Sequence, residues 1–221
     1  YTCPQLNMSR YITLTVTNGE AIKLDFMAAA AGTPIRIVSG SNTRDTTVGT
    51  SSTGFKYYTA DGTTMTVYGD IIGFSCSGNR ANLTALDLSH NTQLTVLNCT
   101  NNRLSSLDLS HNTKLTELYC YKNKFSTQAL DRIYCALPDR DASDDAKVFP
   151  LHETSSTAEA DAVVTTTVEN ATDKNWKVQT YKANHQHEDI ATTGTYDCST
   201  AVAEAAAEQA LTLYPNPVAD V

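Results

Sequence analysis

Apolar residues recur at a fixed interval in the middle of the chain, between Ile71 and Phe125. The pattern of apolar and polar positions in one stretch reappears 21 residues later, and the segment LDLSHNT occurs unchanged at Leu86–Thr92 and Leu107–Thr113. A period of this length predicts that each copy forms one small structural unit that stacks on its neighbour. The positions of the first copy that recur in the second are Leu83, Leu86, Leu88, His90, Leu94, Leu97, Cys99, Asn102 and Leu104.

Each copy contains a short segment that predicts one β-strand, Leu97–Cys99 in the first and Leu118–Cys120 in the second. Side chains alternate between the two faces of a strand, so the leucine and the cysteine are expected to point inward. Asn102 and Asn123 follow at the turns, where an amide can satisfy several backbone groups and form a ladder from copy to copy. The spacing is the signature of leucine-rich repeats.

The N-terminal part of the chain has a different period. From Tyr11 to about Val67 apolar and polar residues alternate, with Asn18-Gly19 as a turn between the first strand and its returning strand. This alternation predicts a small antiparallel β cap over residues 1–69, which would cover the apolar edge of the first repeat. The alternating residues of the first two strands are Ile12, Leu14, Val16, Ile22, Leu24 and Phe26.

After Asn123 the pattern alternates between helical and strand spacing. Gln128–Leu137 and Ala158–Glu169 predict helices, and Lys147–Leu151 and Trp176–Tyr181 predict strands. This order favours two further repeats with helical backs, and a separate α/β domain is the alternative.

The predicted fold class is therefore α+β, a short right-handed leucine-rich-repeat solenoid of parallel strands with an N-terminal antiparallel β cap. The predicted repeat domain spans residues 70–182. A polar loop and an Ala/Glu-rich linker follow at 183–210, and an extended β element begins at 211–221.

Composition limits the class of partner. The net charge is −8 and the sequence has no Lys/Arg run, which argues against nucleic acid. No apolar run approaches the ~20 residues of a membrane span. We expect a monomer.

The six cysteines fall into two groups. Cys76, Cys99 and Cys120 occupy inward repeat positions and are expected to be buried thiols. Of the remaining three, Cys3, Cys135 and Cys198, an extracellular protein would join one pair, with Cys135–Cys198 favoured. The sequence leaves the pairing open.

Few residues suggest metal or catalytic chemistry. The acidic segment Asp139–Asp145 has the carboxylate oxygens that Ca²⁺ prefers but lacks the residue pattern of an EF-hand loop. A solvated loop is therefore favoured over a structural Ca²⁺ site. The segment from His185 to Asp189 is a poor preformed metal site. No motif of a hydrolase, metalloprotease or phosphate-binding loop occurs, so neither enzyme activity nor a cofactor is expected. The candidate calcium ligands are Asp139, Asp141, Asp144 and Asp145.

Outward positions of the predicted strands form the candidate ligand-binding face. Tyrosine buries a large area and keeps a polar tip, so clustered tyrosines suit recognition of a protein or a glycan. The alternative is that Tyr119 and Tyr121 only cover neighbouring strands. The predicted residues are Asn98, Thr100, Glu117, Tyr119, Tyr121, Lys177, Gln179 and Tyr181.

The repeat TxLxCxxNxLxxLDLSxNTxL, over Leu83–Asn123, resembles the BspA-like and internalin-like leucine-rich-repeat proteins of the Bacteroidetes. The ending LYPNPVADV is similar to the opening of the C-terminal sorting domain of type IX secretion. The resemblance implies export across the outer membrane, with display on the cell surface or release from it. It predicts a non-enzymatic protein that binds a host protein, a glycan or another bacterial cell, as in adhesion, biofilm formation or virulence. A purely structural spacer or matrix module is the alternative.

Overall fold

Two β-sheets and three short helices form the described part of the chain in this computed structural model, which covers residues 5–184 and 186–199. The predictions for Cys3, His185 and residues 200–210 and 211–221 lie outside the described residues. The strands are β1 Tyr11–Val16, β2 Ala21–Ala28, β3 Thr33–Ser39, β4 Asn42–Val48, β5 Lys56–Thr59, β6 Thr64–Gly69, β7 Ile71–Ser75, β8 Leu83–Asp87, β9 Val96–Asn98, β10 Glu117–Tyr119, β11 Lys147–His152, β12 Lys177–Tyr181 and β13 Glu188–Asp189. The helices are α1 Thr127–Ala136, α2 Thr157–Val164 and α3 Glu169–Thr172, with single 3₁₀ turns at Arg80–Asn82 and Ala142–Asp144.

The two sheets differ in strand direction. One has five strands in the order β4-β3-β6-β1-β8, all antiparallel. The other has eight strands in the order β13-β12-β11-β10-β9-β7-β2-β5 and is mixed. Its central strands β7, β9, β10, β11 and β12 are parallel, while β2, β5 and β13 are antiparallel.

The predicted α+β leucine-rich-repeat solenoid with a separate β cap is wrong, because the structure is a sandwich-like β fold. Strands of the predicted cap continue the repeat sheet, with Phe26 of β2 opposite Phe74 of β7. The repeat segment also supplies β8, which leaves its own sheet and pairs with β1 in the other. Among the described strand pairs, only β9 and β10 are related by the 21-residue repeat, so that Leu97 pairs with Leu118. The repeat therefore describes one pair of strands and not a stack of equal units.

The hairpin predicted across Asn18-Gly19 is also wrong. The turn exists, but β1 and β2 belong to different sheets. It is held by bonds to the chain beside it, where Gly62 N donates to Asn18 Oδ1 (2.8 Å) and Gly19 N donates to Ala60 O (2.9 Å). Alternating apolar and polar residues specify which face of a strand is buried, but they do not specify the strand with which it pairs. The same sequence pattern therefore fits a turn that connects two different sheets.

One hydrophobic core joins the sheets and the helices. Both sheets contain strands from either side of residues 69 and 70, where a domain boundary was predicted. Leu14 of β1, Leu24 of β2 and Leu97 of β9 are all fully buried in the same cluster.

Three cysteine thiols lie in that core, each directly after one of the neighbouring strands β7, β9 and β10. Cys76, Cys99 and Cys120 are buried and free, and each Sγ faces a backbone carbonyl of the next strand at 3.5–3.8 Å. Burial raises the pKa of all three thiols, that of Cys99 to about 12. They are therefore protonated at neutral pH and unreactive as nucleophiles.

The helical segments close one end of the core. The Ser126 hydroxyl accepts from Ala129 N at the start of α1, whose apolar side packs inward as predicted. The predicted helix Ala158–Glu169 is interrupted, because the carboxylate of Asp131 accepts from Thr167 N (2.7 Å) and holds the chain out of helical geometry. A disulfide joins Cys135 of α1 to Cys198.

Candidate functional site

Asparagine amides fix the carboxyl ends of the parallel strands. Asn102 Nδ2 donates to Cys76 O (3.0 Å) and Cys99 O (2.9 Å), and its Oδ1 accepts from Asn79 N (3.0 Å). Asn79 and Asn123 also donate twice through Nδ2 and accept through Oδ1, so both the amide nitrogen and the oxygen of all three side chains are used. We call Asn79, Asn102 and Asn123 the amide ladder. It holds the strands beneath the candidate site in a fixed register.

Six ring side chains are gathered on the outward side of these strands. Tyr121 stacks on Tyr181, with ring centroids 5.5 Å apart and planes 28° from parallel. Tyr119 stacks on Phe149 at 4.8 Å, and His187 lies 5.0 Å from the ring of Tyr181. We call this cluster the aromatic patch, and it consists of Tyr119, Tyr121, Phe149, His152, Tyr181 and His187.

Strand register brings these rings together. Tyr119 of β10 is the direct neighbour of Phe149 of β11, and His152 of β11 is the neighbour of Tyr181 of β12. The register between β11 and β12 shifts around Pro150, which has no N–H to donate to a ladder. The aromatic patch therefore lies where the neighbouring strands β10, β11 and β12 end.

Burial and neighbouring charges determine the protonation of the patch. The Tyr119 hydroxyl donates to Glu117 Oε2 (2.9 Å), and burial together with that carboxylate raises the pKa of Tyr119 strongly. Burial, followed by the nearby Tyr181, also raises the pKa of Tyr121. Burial and then Lys122 lower the pKa of His152, so its imidazole is neutral at pH 7. Tyr119, Tyr121 and His152 are therefore neutral at pH 7.

A groove of about 460 Å³ runs from the aromatic patch across the sheet. At its far end Phe55 is 43% exposed, and Lys23 Nζ lies 3.8 Å from the centre of that ring. Rings at both ends and polar groups between them suit an extended amphipathic ligand. The polar side chains along the groove are Asp25, Ser52, Ser75, Asn98 and Glu117.

The predicted site residues fall into different environments. Glu117, Tyr119, Tyr121 and Tyr181 lie together at the groove with Asn98. Thr100 was predicted to face outward in the open, but its side chain is buried. Its hydroxyl donates to Asn98 Oδ1 (2.8 Å), so it orients an amide that lines the groove.

The other two predicted residues on β12 are held by acidic partners. Lys177 Nζ forms an ion pair with Asp145 (2.5 Å), and Gln179 Nε2 donates to Asp189 Oδ1 (2.8 Å). Both lie along the same strand as Tyr181 and outside the lining of the groove.

The acidic loop is organised by its own hydrogen bonds. Asp141 and Asp144 form a reciprocal capping box, and Asp145 accepts from both Lys147 and Lys177, which lowers its pKa to about 2. Asp139 is exposed beside them. Within residues 5–184 and 186–199, no three His, Cys, Asp or Glu side chains are grouped as a metal site.

Sequence reasoning did not include Phe149, His152 and His187 in the site. For Phe149 a signal was present, because it lies two positions after Lys147 in a predicted strand and so on the same face. The register shift at Pro150 obscured His152, and a polar loop gave no sign that His187 folds back onto a ring.

None of the helices in the described ranges is long and apolar enough to cross a membrane. Comparisons with protein-family models, with curated proteins and with solved structures found no match to this chain.

Proposed function

We propose that this chain is a non-enzymatic binding protein that recognises a glycan or a protein through the aromatic patch and its groove. One observation carries the proposal. Rings of Tyr121, Tyr181 and His187 pack against one another at one end of an open groove that has Phe55 at the other end. Preformed, partly exposed rings bind at a low cost in ordering entropy.

Of the two ligand classes, the groove favours a glycan. The apolar faces of sugar rings stack on aromatic rings, while their hydroxyl groups need both donors and acceptors. The carboxylates of Asp25 and Glu117 and the amide of Asn98 supply these between the two aromatic ends. A sugar chain alternates apolar faces with polar edges along its length, which matches this arrangement.

We further propose that the protein acts outside the cytoplasm, at a cell surface or after release. The disulfide between Cys135 and Cys198 supports this location, because such bonds persist in oxidising compartments. The ligand is then a host or bacterial surface glycan or protein, and the protein acts as a monomer.

A glycan array followed by calorimetry tests the proposal. Tyr121→Ala together with Tyr181→Ala should weaken binding of any ligand found by at least ~2 kcal/mol, the usual effect of removing aromatic hot spots. The matched control is Tyr11→Ala with Tyr68→Ala, since these two rings are also 5.5 Å apart but belong to the other sheet. Retained binding in the first variant, with both variants folded, would refute the proposal and favour the structural-spacer reading.

A further inference from the structure

Three basic residues repeat in register beside the amide ladder. Each ladder asparagine is followed directly by a cation, giving the pairs Asn79-Arg80, Asn102-Arg103 and Asn123-Lys124. We call Arg80, Arg103 and Lys124 the basic row. Neighbouring strands are about 4.8 Å apart, so the row places cations at roughly that interval along the sheet edge.

The backbone of the basic row is rigidly held. Arg80 N donates to Asn101 O (2.9 Å), Arg103 N donates to Leu83 O (3.1 Å) and Lys124 N donates to Leu104 O (2.8 Å). The three side chains are exposed. Side chains with a fixed backbone position and an exposed charged end suit a ligand that carries charges at a regular interval.

The charges of the row are not neutralised by neighbours. The ion pairs formed within residues 5–184 and 186–199 do not include Arg80, Arg103 or Lys124. A shallow groove of about 450 Å³ contains all three cations and Lys122, with Glu159 as its one carboxylate. In a chain of net charge −8, this concentration of positive charge is a local feature.

Lys122, which lines the same groove as the basic row, is linked to the aromatic patch by a chain of side-chain contacts. Lys122 Nζ donates to Thr154 Oγ1 (2.8 Å), which lies 2.9 Å from His152 Nδ1, and the ring of His152 is 4.9 Å from that of Tyr121. A single extended ligand can therefore touch the rings and the cations together.

We propose that the ligand is an acidic polysaccharide, whose sugar faces lie on the aromatic patch and whose carboxylate or sulfate groups bind the basic row. This inference rests on the proposed function and names the chemical class of its ligand. A sugar unit advances by about one strand spacing, so one charge on each of successive sugars matches the row. Nucleic acid is a poorer fit, since its affinity depends on many phosphate contacts and the basic row supplies three cations.

Calorimetry with paired probes tests the inference. Oligogalacturonate is compared with its methyl ester, and dextran sulfate with dextran, because the members of each pair share a sugar backbone and one of them carries the negative charge. We expect the acidic member of at least one pair to bind about tenfold more tightly or better at low salt. That preference should shrink at high salt, where charges at the surface are screened.

Variants separate this inference from the proposed function. Arg103→Gln with Lys124→Gln should abolish the preference for the acidic probe and leave binding of its neutral counterpart unchanged. Lys114→Gln is the matched control, because Lys114 is exposed but precedes β10 and so lies at the opposite end of the strands. If Tyr121→Ala with Tyr181→Ala is the one variant that loses all glycan binding, the result supports the proposed function independently of the inference.

Three outcomes overturn the inference. They are equal binding of both members of each pair, a preference that survives in Arg103→Gln with Lys124→Gln, and equally tight binding of single-stranded DNA of the same charge. If the wild type binds none of the four saccharide probes, the inference is also overturned, and the glycan array decides the proposed function separately. If only the basic-row variants lose binding, the aromatic patch is not the site.

Discussion

The two ends of the same parallel strands are stabilised in different ways. At the carboxyl ends, Asn102 uses both amide donors and its acceptor on buried backbone groups of its neighbours. At the amino ends, Asn112 Nδ2 donates to Leu88 O (3.2 Å) and Asn91 O (2.8 Å), but its buried Oδ1 has no partner among the described residues. The buried Nδ2 of Asn91 is also unpartnered there.

The difference shows that an asparagine ladder depends on the backbone groups that the neighbouring segment supplies. Asn123 finds the N–H of Leu104 for its oxygen (3.1 Å), and so the carboxyl-end ladder closes. Beside Asn112, the acidic loop bonds to the adjacent residue instead, with Arg140 donating to Thr113 O (2.5 Å). Unpartnered buried polar atoms cost stability, so the amino end is the weaker one.

Removing the central ladder amide should cost most. Asn102→Ala leaves two buried carbonyls and the N–H of Asn79 with fewer partners, and we expect a loss of about 3–5 kcal/mol in the free energy of unfolding. Urea denaturation measures it. Asn98→Ala is the control, because that amide lies at the groove, and a similar cost in both variants would show that the ladder is not special.

The corresponding change at the amino end should cost less. Asn112→Ala removes two hydrogen bonds but also an unpartnered buried oxygen, so we expect a loss of about 1–3 kcal/mol. A cost equal to that of Asn102→Ala, measured in the same urea series, would contradict the difference between the two ends.

The ladder residues could be predicted from the sequence, and the fold could not. Asn102 and Asn123 recur with the repeat, and a repeated polar residue beside inward leucines implies a repeated hydrogen-bonding role. The pairing of β8 with β1 depends on long-range contacts, and nothing local to Leu83–Asp87 distinguishes the two sheets. Local periodicity therefore predicted the burial of the inward leucines and cysteines correctly and predicted the architecture wrongly.

The residues of the candidate site were also only partly predictable from the sequence. Tyr119 and Tyr121 follow from alternation within one strand, so the sequence was sufficient to place them on one face. Tyr181 was predicted only through the assumed continuation of the repeats. His187 reaches the patch through a loop whose path depends on the antiparallel pairing of β12 and β13.

Truncating the least-bonded amide should have a small effect. Asn91→Ala removes a long contact from Gln93 N to Oδ1 (3.4 Å) and an unpartnered buried donor, so we expect stability to change by no more than about 1 kcal/mol. Thermal and urea unfolding beside Asn112→Ala give the comparison. A cost above that of Asn112→Ala would mean that Asn91 carries a bond that this structure does not contain.

The smallest effect concerns ion pairs at the amino ends of β11 and β12. Asp145 accepts from Lys147 Nζ and Lys177 Nζ, at 2.5 Å each, and these bonds lower its pKa to about 2. A carboxyl whose pKa is lowered by folding stabilises the fold above its unfolded pKa of about 4. That contribution is lost as the pH falls from about 4 through 2. Because Asp145 is exposed, the contribution is small and screened by salt.

Urea unfolding of the wild type and of Asp145→Asn across this pH range tests the expectation. The wild type should be slightly more stable near pH 6, and the difference should disappear towards pH 2. The cost of Asn102→Ala should stay constant over the same range, because an amide does not titrate. A wild-type advantage over Asp145→Asn that persists at pH 2 would show that the carboxylate charge is not what stabilises the amino ends.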